Sequence, residues 1–159
     1  MLTWTEDLAT GNPRIDAEHR EIYRQMNELG DAIVRGAGSA TLNELAEVLL
    51  NYAYLHFHHE EHAMACAHCP AHRLNCAAHR DFIRRLRAWM CQINSGTFPQ
   101  SQIYELHRET SLWIKNHIEH IDIRLRPLSA PPRGETPEGD GGGPASAEPL
   151  LTEASPGRP

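Results

Sequence analysis

The sequence predicts an all-α protein: an antiparallel up-down four-helix bundle with an N-terminal arm and a disordered C-terminal tail. Three observations carry that expectation. Apolar residues recur at steps of three and four through four successive stretches, no stretch shows the period-two alternation of a strand, and the connections are too short for crossovers. The remaining breakers crowd at the end, where seven of eleven prolines and six of eleven glycines follow Leu128. The chain of 159 residues therefore divides into a bundle, 1–128, and a Pro/Gly-rich acidic tail, 129–159. The tail has too few large apolar side chains to offset its ordering entropy.

The first helix opens at Asn12-Pro13, runs inward through Ile15, His19, Ile22, Met26, Leu29 and Ile33, and stops at Gly36 and Gly38. Thr41 to Glu44 has the spacing of a capping box for the second, whose stripe is Leu42, Leu45, Leu49, Tyr52, His56, Glu60 and Ala63. Pro70 is placed to open the third, with Asn75, His79, Phe82, Leu86, Trp89 and Ile93 inward, and Ser95-Gly96 closes it. Pro99 restarts the chain. Ile103, Leu106, Thr110, Trp113, His117, Ile121 and Leu125 then face inward until Pro127 ends the fourth helix.

Net charge is -6, and half of it belongs to the tail, where five acids outnumber Arg133 and Arg158. A weakly acidic body with scattered arginines argues against a nucleic-acid partner. No apolar run reaches 18 residues, and Met1–Asn12 carries Glu6 and Asp7 with no basic start, so neither a membrane span nor a secretory leader is expected. A cytoplasmic setting with reduced thiols follows for Cys66, Cys69, Cys76 and Cys91. The composition is unusual in one respect, eleven histidines against a single lysine, Lys115.

Four of those histidines, His19, His56, His79 and His117, fall one on each inward stripe, and Glu60 lies one turn after His56. A lone core histidine is ordinarily satisfied by a carbonyl or a carboxylate. Four with a buried carboxylate would cost several kcal/mol of desolvation unless they share a strong partner, and a divalent metal centre is such a partner. Counted with Asp122, the donors are six nitrogen and oxygen groups with no obligatory thiolate. That set exceeds a four-coordinate zinc site and suits two octahedral first-row ions bridged by carboxylates, with iron the best match. No Glu-x-x-His pair of the ferritin-like kind occurs, and His59-Glu60-Glu61-His62 lacks zincin spacing.

These residues resemble the bacteriohemerythrin or hemerythrin-like family from about Trp4 to Leu125. The likeness lies in Trp4, Gly11, Pro13, Ile15-Asp16 and Glu18-His19, in His56-Phe57-x-x-Glu60-Glu61-x-x-Met64, and in Trp113-Ile114-x-x-His117-Ile118-x-x-x-Asp122. It is the resemblance that admits Asp122, because five residues of ideal helix turn it about 140° away from His117. The resemblance implies two non-heme irons bridged by Glu60, Asp122 and a solvent-derived oxygen. It implies that His19 and His56 hold one iron, that dioxygen is the ligand at an open position on it, and that a dry sleeve around Ile22, Leu49 and Ile114 withholds protons.

The sequence departs from the family at one point. A His-x-x-x-His ahead of Phe82 would supply two ligands, but only His79 is present and Asn75 stands four residues earlier. Either Asn75 through its carbonyl oxygen or water completes the set, or His72 or Cys76 substitutes, or the site fails to hold two metals. His62, Cys66, Cys69, His72 and Cys76 also crowd one turn and could bind zinc or cycle as a dithiol, although ordinary burial is the favoured reading there. Cys91, Trp89 and Trp113 read as core, and His58, His59, His68, His107 and His120 as mostly solvated. The expectation is a non-catalytic dioxygen-binding protein for storage, delivery or sensing, with no protein partner identifiable. The alternatives are a diiron enzyme acting on peroxide, nitric oxide or dioxygen, and a bundle that has lost part of its site.

Overall fold

A computed structural model describes residues 1–95 and 99–129. Beyond its first residue, the expected tail lies outside the described residues. Four long helices, α1 (Pro13–Val34), α2 (Ser39–Cys66), α3 (His72–Asn94) and α4 (Gln100–His120), follow a 3-10 turn at Glu6–Leu8. A second 3-10 turn, Asp122–Leu125, and a short helix α5 (Arg126–Ser129) close the described chain. No strand occurs among the described residues. Close backbone approach joins α1 to α2 and α4, and α2 to α3, as an up-down bundle requires. Among the described residues, no helix is long and apolar enough to cross a membrane.

Helix α1 starts as expected. The Asn12 side chain accepts from the Arg14 and Ile15 N–H groups, and Pro13 occupies the first turn. Asp16, one turn in, is buried and accepts from Thr10 N–H, Thr10 Oγ1 and Gly11 N–H at 2.6, 2.8 and 3.2 Å. Gly11 presents its N–H at φ +81°, a left-handed conformation that suits glycine. The arm is thereby tied to the bundle, and it is tied again where Leu2 and Asn27 exchange two hydrogen bonds.

The two inter-helix turns before α2 and α3 share one closure. At the end of α1, Gly36 is left-handed (φ +72°), Gly36 N–H reaches Ile33 O, and Ala37 N–H reaches Ala32 O, which is a Schellman motif. At the end of α2 the same bonds run from His68 to Ala65 O and from Cys69 to Met64 O, with Cys69 and Met64 packed in one apolar cluster. There the left-handed residue is His68, at φ +51°. Left-handed backbone costs an L-residue about 1–2 kcal/mol, part of which glycine returns as unfolded-state entropy. We therefore expect His68→Gly to stabilise the fold by about 0.5 kcal/mol and β-branched His68→Val to destabilise it by about 1 kcal/mol or more in chemical denaturation.

This closure corrects two sequence expectations. Pro70 does not open α3: residues 67–71 are used in leaving α2, and α3 begins at His72 after Ala71. Thr41 does not cap α2 either, because the helix starts at Ser39 with extended Gly38 before it and no side-chain cap. A third correction concerns Pro127, which lies inside α5, α4 having already ended at His120.

Away from the buried donors, three side chains sit differently from expectation; Cys66, at the end of α2, is exposed and not buried. Cys91 is exposed, because it falls between Trp89 and Ile93 on the outer side of the α3 stripe. His107 is half-buried, and its Nε2–H donates to Met26 O at 2.8 Å across the α1–α4 contact. Burial lowers its pKa, which suits a neutral ring donating to a carbonyl. A Cβ on Gly30 would stand 2.7 Å from the His107 ring, so glycine in the middle of α1 makes room for that imidazole.

Candidate metal centre

Each helix delivers donors to one level of the core. Helix α1 brings His19, α2 brings His56 and Glu60 one turn apart, α3 brings His79, α4 brings His117, and the 3-10 turn brings Asp122. All six side chains expected from the sequence meet there. None is more than 6% exposed and Glu60 is fully sealed.

Asp122 reaches the centre by a route the period could not show. Helix α4 stops at His120, Ile121 is stretched in φ within the right-handed region (φ -113°, ψ -58°), and the chain tightens into a 3-10 turn beginning at Asp122. Asp122 Oδ1 then lies 3.1 Å from His117 Nε2.

The two carboxylates divide their oxygens. Asp122 turns Oδ1 to His117 and Oδ2 to His19 Nε2 at 3.4 Å. Glu60 turns Oε1 to His19 Nε2 at 3.7 Å and Oε2 to His79 Nε2 at 3.3 Å, with His56 Nε2 at 3.9 Å. Two overlapping donor groups result, His19–His56–Glu60 and Glu60–His79–His117–Asp122, each with donor atoms within 4.8 Å of one another.

Carboxylates outside this cluster orient two of the rings. Glu18 Oε2 accepts from His56 Nδ1 at 3.1 Å, and Glu61 Oε1 from His79 Nδ1 at 3.0 Å. With the neutral-ring proton held at Nδ1, the Nε2 lone pair faces inward. Glu18 is itself held by His59 Nδ1 at 2.7 Å and Arg14 Nε at 3.1 Å. Burial opposes ionisation of Glu18, but bonds from His56, His59 and Arg14 outweigh it and bring its pKa down to about 2. Sequence pattern assigned no role to Glu18 or Glu61 and read His59 as mostly solvated, whereas its side chain is only 15% exposed and bonded to Glu18. Their positions beside ligand-type residues, Glu18 before His19 and Glu61 after Glu60, were the available signal.

Electrostatics within the cluster follow from the same contacts. Burial pushes His19 and His79 toward neutrality, but the nearby carboxylates, Asp122 and Glu60 beside His19 and Glu60 and Glu61 beside His79, outweigh it and raise both pKa values. His56 is lowered, because burial dominates despite Glu18. Asp122 lies well below the usual carboxylate range: burial would raise it, and His117 and His19 overcome that.

The donor set fits a metal pair. His19 Nδ1 and Nε2, Glu60 Oε1 and both Asp122 oxygens are buried and lack a hydrogen-bond partner. Such groups are costly to bury unpartnered. Imidazole nitrogens and carboxylate oxygens without sulfur match first-row divalent ions.

Asn75 is fully buried beside this set. Its Nδ2 donates to Glu60 Oε2 at 3.1 Å, and its Oδ1 has no hydrogen-bond partner. His72 and Cys76 pair with each other, Nε2 to Sγ 3.4 Å, and neither belongs to the buried donor groups.

An up-down bundle with imidazoles and carboxylates sealed at its centre defines a cation-binding helical protein. The family model for the hemerythrin HHE cation binding domain matches residues 10–128. The chain is similar to a bacteriohemerythrin from Pseudomonas aeruginosa (strain LESB58), 33% identical over 121 residues and 76% of each chain. It is also similar to one from Stenotrophomonas maltophilia (strain R551-3), 30% identical over 122 residues and 77% of each chain. This chain belongs to the hemerythrin family.

The outer shell makes a specific prediction. Glu18→Gln keeps the shape but weakens the orientation of His56, and loss of such a partner typically costs 10–100-fold in metal affinity. We expect a loss of that size in competition with a chelator, with helical content unchanged. Glu18→Asp should recover part of it.

Proposed function

We propose that this chain holds two non-heme irons and binds dioxygen reversibly, in storage, delivery or sensing, without turning it over. The observation that carries this reading is the division of the Glu60 and Asp122 oxygens between His19 on one side and His79 with His117 on the other. Carboxylates so placed can bridge two ions, one taking His19 and His56 and the other His79 and His117. A ferrous pair, when bound, supplies the two electrons that dioxygen binding draws on.

The protein's own part is to shape and dry the site. Ile22, Leu49, Ala53, Phe57, Ile114 and Ile118 join His19, His56 and His117 around an inner cavity of about 20 Å³. That is room for one small molecule and little else. The apolar side chains on its other sides would limit the access of water, and with it of solvent protons, to a ligand held there. Trp113 stacks on the His117 ring at 4.6 Å and Phe57 on His79 at 3.7 Å, fixing both imidazoles.

Asn75 is read as a donor to Glu60 Oε2, so the His79–His117 side has one imidazole fewer than the family pattern. The unpaired cysteines support a reducing, cytoplasmic setting. The test is optical: reduced, iron-loaded protein is exposed to dioxygen and then deoxygenated. Visible absorption should rise with dioxygen and disappear on its removal. Prompt irreversible oxidation would instead indicate turnover.

A further inference from the structure

The inner cavity beside the metal ligands has a larger neighbour. A groove of about 240 Å³ runs between α3 and α4, lined by Leu86, Trp89 and Leu106 together with exposed Arg85 and Glu109. Among the described residues, this is the seam at which neighbouring backbones of the bundle approach least closely. Phe82 and Trp113 are common to the linings of the groove and of the cavity. Their rings meet at 4.6 Å between centroids and 31° between planes. One layer of aromatic side chains therefore divides the groove from the space beside His19, His56 and His117.

The three aromatic residues that wall the cavity are not equally free to turn. Trp113 stacks on His117 with 14° between planes and Phe57 on His79 with 8°, so moving either one uncovers an imidazole of the metal centre. The ring contacts of Phe82 are instead with Trp113 and, edge-on at 5.7 Å and 84°, with Phe57. Phe82 is buried, yet it stands beside open groove and not against a close-packed helix, so a change of rotamer has volume to move into. A second depression, of about 320 Å³ between α2 and α3, shares Phe57 with the cavity. Passage there would have to displace the ring that covers His79.

We propose, resting on the dioxygen reading of the centre, that Phe82 is its gate: the ring swings into the α3–α4 groove and admits small neutral diatomic molecules to the cavity, while Trp113 and Phe57 stay on their imidazoles. A neutral gas passes an aromatic layer without cost in hydration, whereas a charged solute would have to shed its water there. Phe82 thus sets how fast a ligand arrives and leaves. It does not set how tightly the ligand is held, because a gate changes the two rates by the same factor.

Nitric oxide is the probe, because it binds ferrous iron without the two-electron transfer that dioxygen binding draws on. Full-length protein loaded anaerobically with ferrous iron is mixed rapidly with nitric oxide, and release is followed after a scavenger is added. Phe82→Leu should speed association and release alike by about tenfold or more, and the bulkier Phe82→Trp should slow both. Leu106→Ala, which alters the groove wall alone, should leave both rates within about twofold of wild type. A second readout needs neither metal nor variant: fluorine NMR of the metal-free chain grown with fluorophenylalanine, which labels three phenylalanines. The Phe82 resonance should show exchange between two ring positions and the Phe57 resonance should not. Unchanged rates in Phe82→Leu, rates raised by Phe57→Leu and not by Phe82→Leu, or a Phe82 ring without exchange would overturn the proposal. Irreversible oxidation by dioxygen would remove the dioxygen reading and leave the nitric oxide rates and the ring exchange to decide the gate.

Discussion

Glu60→Gln is expected to lower bound iron from two per chain to below one. Glu60 is the one donor common to both groups at the centre, and its oxygens face His19, His79 and His56. Gln keeps the volume and can still accept a hydrogen bond from Asn75, so the bundle should fold. What it removes is the bridging charge, and both ions weaken together. Metal that binds only the folded state stabilises it by about 4 kcal/mol at a thousandfold excess over the dissociation constant. For a domain of this size that is a melting-temperature difference on the order of 10 °C between loaded and stripped protein. The wild type should show this difference by calorimetry and the Gln variant should show almost none. Equal differences in the two proteins would mean that Glu60 is not a ligand.

Asn75→His should act in the opposite direction. Asn75 lies against Glu60 Oε2 on the His79–His117 side, where the family pattern has a further imidazole. Supplying one adds a strong donor to the ion with the poorer set. We expect iron release to a chelator to slow by about tenfold or more, on the scale by which ligand surroundings tune metal affinity. The larger side chain enters a fully buried position, so the metal-free variant should lose about 1–3 kcal/mol to overpacking. Slower release together with lower metal-free stability is a combination that a general stabilising effect would not produce. Unchanged release would show that the set is already complete with Asn75.

The inward stripes were readable because burial and helical period coincide along these helices. His19, His56, Glu60, His79 and His117 interrupt apolar runs at inward positions, and buried polar groups there demand a partner. Asp122 was not readable by period. Its side chain points inward only because α4 ends at His120 and the backbone tightens afterwards, so family likeness alone admitted it. Helix starts failed at Thr41 and Pro70 for a related reason. Turn closure is settled by left-handed residues, Gly36 and His68, and nothing in the composition around His68 announces that a histidine takes the glycine role.

The outer carboxylates were hidden differently. Glu18 and Glu61 occupy flanking positions that ordinarily carry solvated charge, and only the packing of α1 and α3 against α2 turns them toward His56 and His79. By period His107 reads as a surface histidine, yet its ring lies against Gly30. In each case the missing information was which neighbouring helix lies beside the residue, a property of packing that one-dimensional period does not contain.

On the proposed function, six converging side chains hold a pair of irons despite Asn75. Metal analysis of the purified full-length chain, loaded anaerobically with ferrous iron and freed of excess, tests it most directly. Two irons per chain are expected. A value of one or zero under those conditions would contradict it and would remove the dioxygen-binding function built on the pair.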